Sequence, residues 1–326
     1  MANTLDLIHQ IPKTETHLHI EGSLPWHLLQ AANPGKYEST PASWSPDFRF
    51  QNFTHFETEL LGYAADFFCS PDRYHDCAKA VFEDALTRNV RYIETSFASG
   101  CIDFLNLDGH AVCDAIRAAV PDGLQVRIFL GIHHDGYTTK MSTILEDALA
   151  WTNLDGIDLH GAEDVPIGDW APGFWQRARD AGKFTKAHAG EFMGADFVRY
   201  AVETLGVTRI EHGTRSIEDA SVISILRDRG VALDMCPISN LKLGVVTSAQ
   251  GHPIRQLLDA GITCTVSTDD PISFGNHIED EYHLLAEELG FSCHDLAEVA
   301  KNGFKIALAP ADWREEQIRQ IDCLLD

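Results

Sequence analysis

Eight short apolar or β-branched runs alternate with amphipathic stretches along most of the chain, and this rhythm constrains the fold more than any other feature. The runs are Thr14–Ile20, Arg91–Phe97, Val126–Ile132, Gly156–Leu159, Phe184–His188, Arg209–His212, Val231–Cys236 and Thr263–Thr268. Between them, helical periodicity covers Tyr74–Arg88, Met141–Thr152, Pro172–Ala181, Asp196–Leu205, Ser221–Arg229 and Ile254–Ala260, and several of these stretches close on a glycine (Gly182, Gly206, Gly230, Gly261). Strand followed by helix, repeated about eight times, predicts an α/β fold, a (β/α)8 barrel. At 326 residues, 44% of them hydrophobic, residues 1–326 read as one such domain.

The first connection, from Gly22 to Arg91, is far longer than the others. It opens with a polar tract bearing proline and serine (Asn33–Ser45) and continues in helix-like segments. Long connections in compact folds tend to be functional or disordered, so residues 23–90 are expected to form a helical insertion over the barrel mouth, a lid or pocket wall.

Charge narrows the partners. Twenty-five basic against 49 acidic residues give a formal charge of −24. Such a field repels nucleic-acid phosphates and anionic membranes, which leaves a neutral or cationic small molecule as the expected partner. The N-terminal MANTLDLIHQ lacks a basic stretch followed by an apolar one, and no run approaches the ~18 apolar residues needed to span a bilayer, so a soluble cytoplasmic protein is expected. The eight cysteines are dispersed without a C-x-x-C pair, as for small core residues in a reducing compartment. Oligomeric state is not legible.

In a barrel of this kind the active site gathers where the strands end at the C-terminal face. Here strand one ends in His17-x-His19, strand four in Asp158-Leu-His160-Gly161, strand five in His188-Ala-Gly-Glu191, strand six in Glu211-His212-Gly213 and strand eight in Asp269-Asp270-Pro271. Any one of these could be turn or helix-start chemistry. Five at one rim are poorly explained that way. Residues i and i+2 of a strand share a face, so His17 and His19 can serve one ion. With His188 and Asp269 they offer three imidazoles and a carboxylate to a single Zn2+, with water completing the shell, and zinc makes that water acidic enough to ionise near neutral pH. Another divalent transition metal fits the same donors. Glu191 and His212 are then placed for proton transfer.

The segments HLHIEG, GIDLHGAE, HAGE, RIEHGTRSIED, CPISNLKL and STDDP, in this order over nearly the whole chain, resemble the adenosine deaminase family of the amidohydrolase superfamily. HIEG, the acidic residue before His212 and the CPISNLKL run are similar to the adenine deaminase-like branch. The resemblance implies zinc on His17, His19, His188 and Asp269. It also implies Glu191 protonating a purine ring nitrogen, His212 orienting and deprotonating the attacking water, Asp270 accepting a hydrogen bond from the ring, and the Gly161 N–H meeting another ring nitrogen. The expected reaction is hydrolytic deamination of a 6-aminopurine, adenine to hypoxanthine and ammonia, with adenosine or an N6-substituted or otherwise modified aminopurine as alternatives. Glu21, where nucleoside deaminases carry a shorter aspartate facing the sugar, favours the free base, unless it merely caps a helix at Ser23–Gln30.

Two stretches depart from that pattern. Strand two ends in Glu94–Gly100 without the FDPQ-like run usual in the adenine branch, and Gly131–Gly136 after strand three matches no usual motif. Both shape the purine-facing wall, which implies either a larger substrate or neutral divergence of rim loops. A cytidine-type deaminase is excluded by the lack of PC-x-x-C, and Gly156–Gly161 holds no lysine to bridge two metals. A non-catalytic metal-binding protein on the same scaffold is the reading from another class. Such a protein would be expected to lose Glu191, His212 or Asp270 first, and all three are present.

Overall fold

A computed structural model of the chain describes residues 4–325. Eight parallel strands pair in sequence order: β1 (Lys13–His19), β2 (Val90–Ala98), β3 (Gln125–His133), β4 (Gly156–His160), β5 (Phe184–Ala189), β6 (Arg209–His212), β7 (Ala232–Met235) and β8 (Cys264–Val266). The ring closes just beyond β8, where the Asp269 N–H donates to the His17 carbonyl (3.2 Å) and the His19 N–H donates to the Asp269 carbonyl (3.1 Å). The fold is a (β/α)8 barrel, as the alternation predicts.

The pleat on β1 is interrupted. Glu15 pairs with Ile93 but the next pair is Leu18 with Thr95, so β1 carries one extra residue there. As a result Thr16 and His17, neighbours in sequence, both face inward: Thr16 Oγ1 donates to Asp234 (2.8 Å), and His17 Nδ1 lies 3.1 Å from the Asp234 carbonyl.

Helices follow the expected stretches with one difference. The segment after β5 is α-helical only over Ala195–Tyr200 and continues as a π-turn over Ala201–Leu205 before Gly206, left-handed at φ 74°, ends it. The helix Cys293–Ile306, which follows β8, presses its Gly303 against β1, where a Cβ would stand 1.9 Å from Thr14 Oγ1. Among the described residues no helix is long and apolar enough to cross a membrane. No two cysteines among the described residues are joined in a disulfide.

Between β1 and β2 lie helices Trp26–Ala32, Phe53–Phe67 and Pro71–Thr87. Phe50 and Phe56 form a separate apolar cluster with Leu243 and Phe274, residues that follow β7 and β8. The Lys242 ammonium donates to the Ser45 carbonyl (3.0 Å) and to that of Ser43, and the Trp44 indole N–H donates to the Ile272 carbonyl (2.7 Å). The residues 42–67 are thereby fastened to the rim where the strands end.

The deep interior of the barrel is ionic, which the apolar reading of the strands does not anticipate. Lys186 lies 2.6 Å from Glu211 and 3.1 Å from Glu94, and Arg209 bridges Glu94 (3.1 Å) and Asp234 (2.6 Å), all of them buried. Charges so enclosed are tolerable only as mutually paired groups.

Candidate active site

Above this ionic layer, His17, His19, His188 and Asp269 converge. The Nε2 atom of His188 lies 3.0 Å from that of His17 and 3.2 Å from that of His19, and Asp269 Oδ1 lies 3.3 and 3.2 Å from the same two histidine nitrogens. The partners of the opposite ring atoms fix the tautomers. His17 Nδ1 faces the Asp234 carbonyl, and His188 Nδ1 faces the Leu159 carbonyl (3.0 Å) and the Glu211 carboxylate (2.9 Å), so in both rings Nδ1 carries the hydrogen and Nε2 is a bare lone pair. His19 Nδ1 is engaged by the Ser96 hydroxyl at 2.8 Å. Lone pairs cannot hydrogen-bond one another. Three imidazole nitrogens and a carboxylate oxygen gathered within 4.8 Å fit a cation of the kind that takes nitrogen and oxygen donors. Cys236, 3.5 Å from His17 Nδ1, is a poor competitor, because burial raises its thiol pKa well above the usual range.

His212 has the opposite tautomer. The Ile254 N–H donates to His252 Nδ1 (3.3 Å), so His252 Nε2 carries hydrogen and donates to Asn240 Oδ1 (3.1 Å), which also accepts from the Thr214 hydroxyl (3.1 Å). That turns the Asn240 amide N–H toward His212 Nδ1 at 3.2 Å and leaves the His212 hydrogen on Nε2, which points at Glu191 (3.5 Å) and Asp269 Oδ2 (3.8 Å). Burial, then the nearby His17, hold His212 well below the ordinary histidine pKa, so it is neutral. His212 and Asp269 both sit at positive φ (64° and 65°), a strained backbone that turns these strand ends into the site.

Burial, reinforced by Asp269 and Glu163, pushes the Glu191 carboxyl well above the usual range, and its Oε1 has no partner. Glu163 accepts from the backbone N–H groups of Glu191 (3.2 Å) and Phe192 (2.7 Å) and so pins the turn that carries Glu191. Asp270 is likewise raised, by burial and then by Asp269, and its Oδ1 is unpartnered. Gly22 permits this close packing, since a Cβ there would stand 1.7 Å from Asp270 Oδ1.

These groups open onto a cavity of about 570 Å3 lined by His19, Glu21, Gly161, His188, Glu191, His212, Asp269 and Asp270, with Phe53, Phe56, Leu60 and Phe104 on an apolar wall. His17 lies beneath it, fully buried. Every residue singled out in the sequence therefore lies in or directly under one cavity. Glu21 caps no helix: the helix there starts at Trp26 after Pro25 with no side-chain cap, and Glu21 Oε1 accepts instead from the Tyr74 hydroxyl (2.8 Å) and the Ala98 N–H (3.1 Å). Burial raises it to about 7. Sequence reasoning placed Asp158 and Glu211 at the strand ends without giving them their role behind His188 and missed Glu163 and Asn240, although all of them sit inside the segments that carried the resemblance.

The adenosine deaminase family profile matches residues 12–323. An adenine deaminase of Chlorobium phaeobacteroides (strain BS1) is 30% identical over 97% of each chain. The crystal structure of an adenine deaminase from Arthrobacter aurescens superimposes with a TM-score of 0.88 at 25% identity, covering 97% of this chain and 99% of that one. An amidohydrolase from Burkhoderia ambifaria with bound zinc shares the fold at a TM-score of 0.85 and 23% identity, covering 100% of this chain and 95% of that one. The chain belongs to the adenosine deaminase family and is a hydrolytic deaminase.

Proposed function

We propose that the protein deaminates a 6-aminopurine, with adenine as the preferred substrate, and that it uses one Zn2+ held by His17, His19, His188 and Asp269. The observation that carries the reading is the convergence of three Nε2 nitrogens with Asp269 beside a buried, proton-bearing Glu191. When bound, the ion supplies a Lewis acid that acidifies a water molecule. Glu191 gives its proton to a ring nitrogen, which draws electrons out of the ring as the amine-bearing carbon is attacked. Asp270, whose raised carboxyl carries a proton, donates a hydrogen bond to the bare ring nitrogen on the opposite edge rather than accepting one as the resemblance implies, and the Gly161 N–H meets a third nitrogen. His212, with hydrogen on Nε2, orients the attacking oxygen by donating to it; the proton that oxygen gives up on becoming hydroxide restores Glu191, and its second proton leaves on the departing amine as ammonia. A second ion is disfavoured because Lys186 already neutralises Glu211, the carboxylate beside His188.

No lysine or arginine lines the cavity among the described residues, which argues against a phosphorylated substrate. Its size lies in the roughly 300–1,000 Å3 range that suits a drug-sized ligand, and with the apolar wall it favours a second reading, an adenine bearing an apolar substituent. The helix Phe53–Phe67 acts in either case as a wall that excludes water. The test is ammonia release from adenine, adenosine and N6-substituted adenines. The kcat/KM for adenine should exceed that for adenosine by well over tenfold. In Glu21→Asp, which shortens a carboxylate at the cavity wall, the ratio should fall by a few-fold to a hundredfold, the range that ~1–3 kcal/mol of differential contact allows. Adenosine turned over as well as adenine would remove the adenine assignment and leave deamination of an aminopurine.

A further inference from the structure

Two histidines that line the cavity take no part in holding the ion. His133 ends β3 and His160 ends β4, with ring centroids 4.8 Å apart. His160 is buried, its Nε2 has no hydrogen-bond partner, and neither ring makes a hydrogen bond to another described residue. An enclosed imidazole without a partner is costly unless something else satisfies it. The surrounding backbone is shaped to admit the two rings. A Cβ on Gly131, inside β3, would stand 2.4 Å from His160 Cε1, and a Cβ on Gly100 would stand 3.1 Å from His133 Cε1. Glycine within a strand weakens it, so close approach of another group is its usual reason. The pair also flanks Gly161: His160 precedes it, and the His133 ring lies 3.3 Å from where a Gly161 Cβ would be.

Resting on the deaminase reading above, we propose that His133 and His160 form the contact for the free ring N–H of the substrate, on the edge that Gly161 faces, and thereby select N-unsubstituted nucleobases over N-glycosides and N9-alkyl bases. A neutral imidazole offers one acceptor, so one ring of the pair can accept from the ring N–H while the Gly161 N–H meets the adjacent ring nitrogen. An alkyl or sugar group at that nitrogen removes the donor and leaves a buried acceptor unsatisfied, the kind of mismatch that discriminates strongly.

The experiment compares adenine with 9-methyladenine in the zinc-loaded wild type and in His160→Leu, His133→Leu, His160→Asn and His133→Asn, with ammonia release and equilibrium dialysis of both ligands measured together and zinc content checked in each. Wild type should favour adenine about 10²-fold in kcat/KM and in binding. The leucine variants, zinc retained, should lose most of that ratio through the KM for adenine, and the asparagine variants should recover part of it. Equal handling of the two bases by wild type overturns the proposal, as do leucine variants that keep the ratio. Selective adenine binding without ammonia release would support the contact while ending the deaminase reading, and no binding of either base would end both.

Discussion

Glu191→Gln should fold, keep its metal and lose kcat by roughly 10²–10⁴. Glutamine preserves the shape of the side chain, and Glu163 still grips the backbone N–H groups of the turn, so the substitution removes little besides the transferable proton. That proton is held because the carboxyl is buried beside Asp269 and Glu163, and its Oε1 has no protein partner before substrate arrives. The sign of the shift sets the pH dependence. The protonated form is the active one, so wild-type kcat/KM should hold at pH below the raised Glu191 pKa and decline as pH rises through it. Metal content measured alongside kcat separates the proton from the ion. Near-normal turnover in the variant would take Glu191 out of the mechanism.

His17→Ala should release the ion and reduce ammonia production to background. His17 is fully buried at the centre of the donor set, between His188 and Asp269, and a methyl group leaves the remaining lone pairs without the geometry for tetrahedral or five-fold coordination. An ion held there would also contribute to stability. Anything that binds only the folded chain stabilises it by RT ln(1 + [L]/Kd), about 4 kcal/mol at a thousandfold excess over Kd, which here would offset the strain of His212 and Asp269 at positive φ. Metal analysis by plasma emission should give about one ion per wild-type chain and close to none in the variant. Thermal melting should show a lower Tm for chelator-treated wild type, and no further chelator effect on His17→Ala. Two tightly held ions per wild-type chain would contradict the single-ion site.

The alternation of runs gave the barrel because period-2 and period-3.6 patterns are local properties, and each strand was located to within a few residues. The candidate ligands could be picked out for a related reason: strand ends are local too, and the fold brings all four to one rim. What stayed hidden depends on pairing across the barrel. The extra residue in β1 exists only relative to β2, and it is what turns both Thr16 and His17 inward. Lys186 and Arg209 lie in runs read as apolar, and only the closed ring supplies Glu94, Glu211 and Asp234 to neutralise them. The His212 tautomer is set through Asn240 by His252, 40 residues further along the chain, so no local motif could disclose it. Glu163 was visible as a letter in GIDLHGAE but acquired a role only when the turn after β5 folded against it.

The most direct test of the site as a whole is a zinc titration of metal-stripped protein with ammonia release from adenine as the readout. If His17, His19, His188 and Asp269 hold one ion that the reaction requires, activity should rise from background in proportion to added zinc and level off at about one equivalent per chain. Full activity in the metal-stripped protein, or a rise that continues to two equivalents, would contradict it.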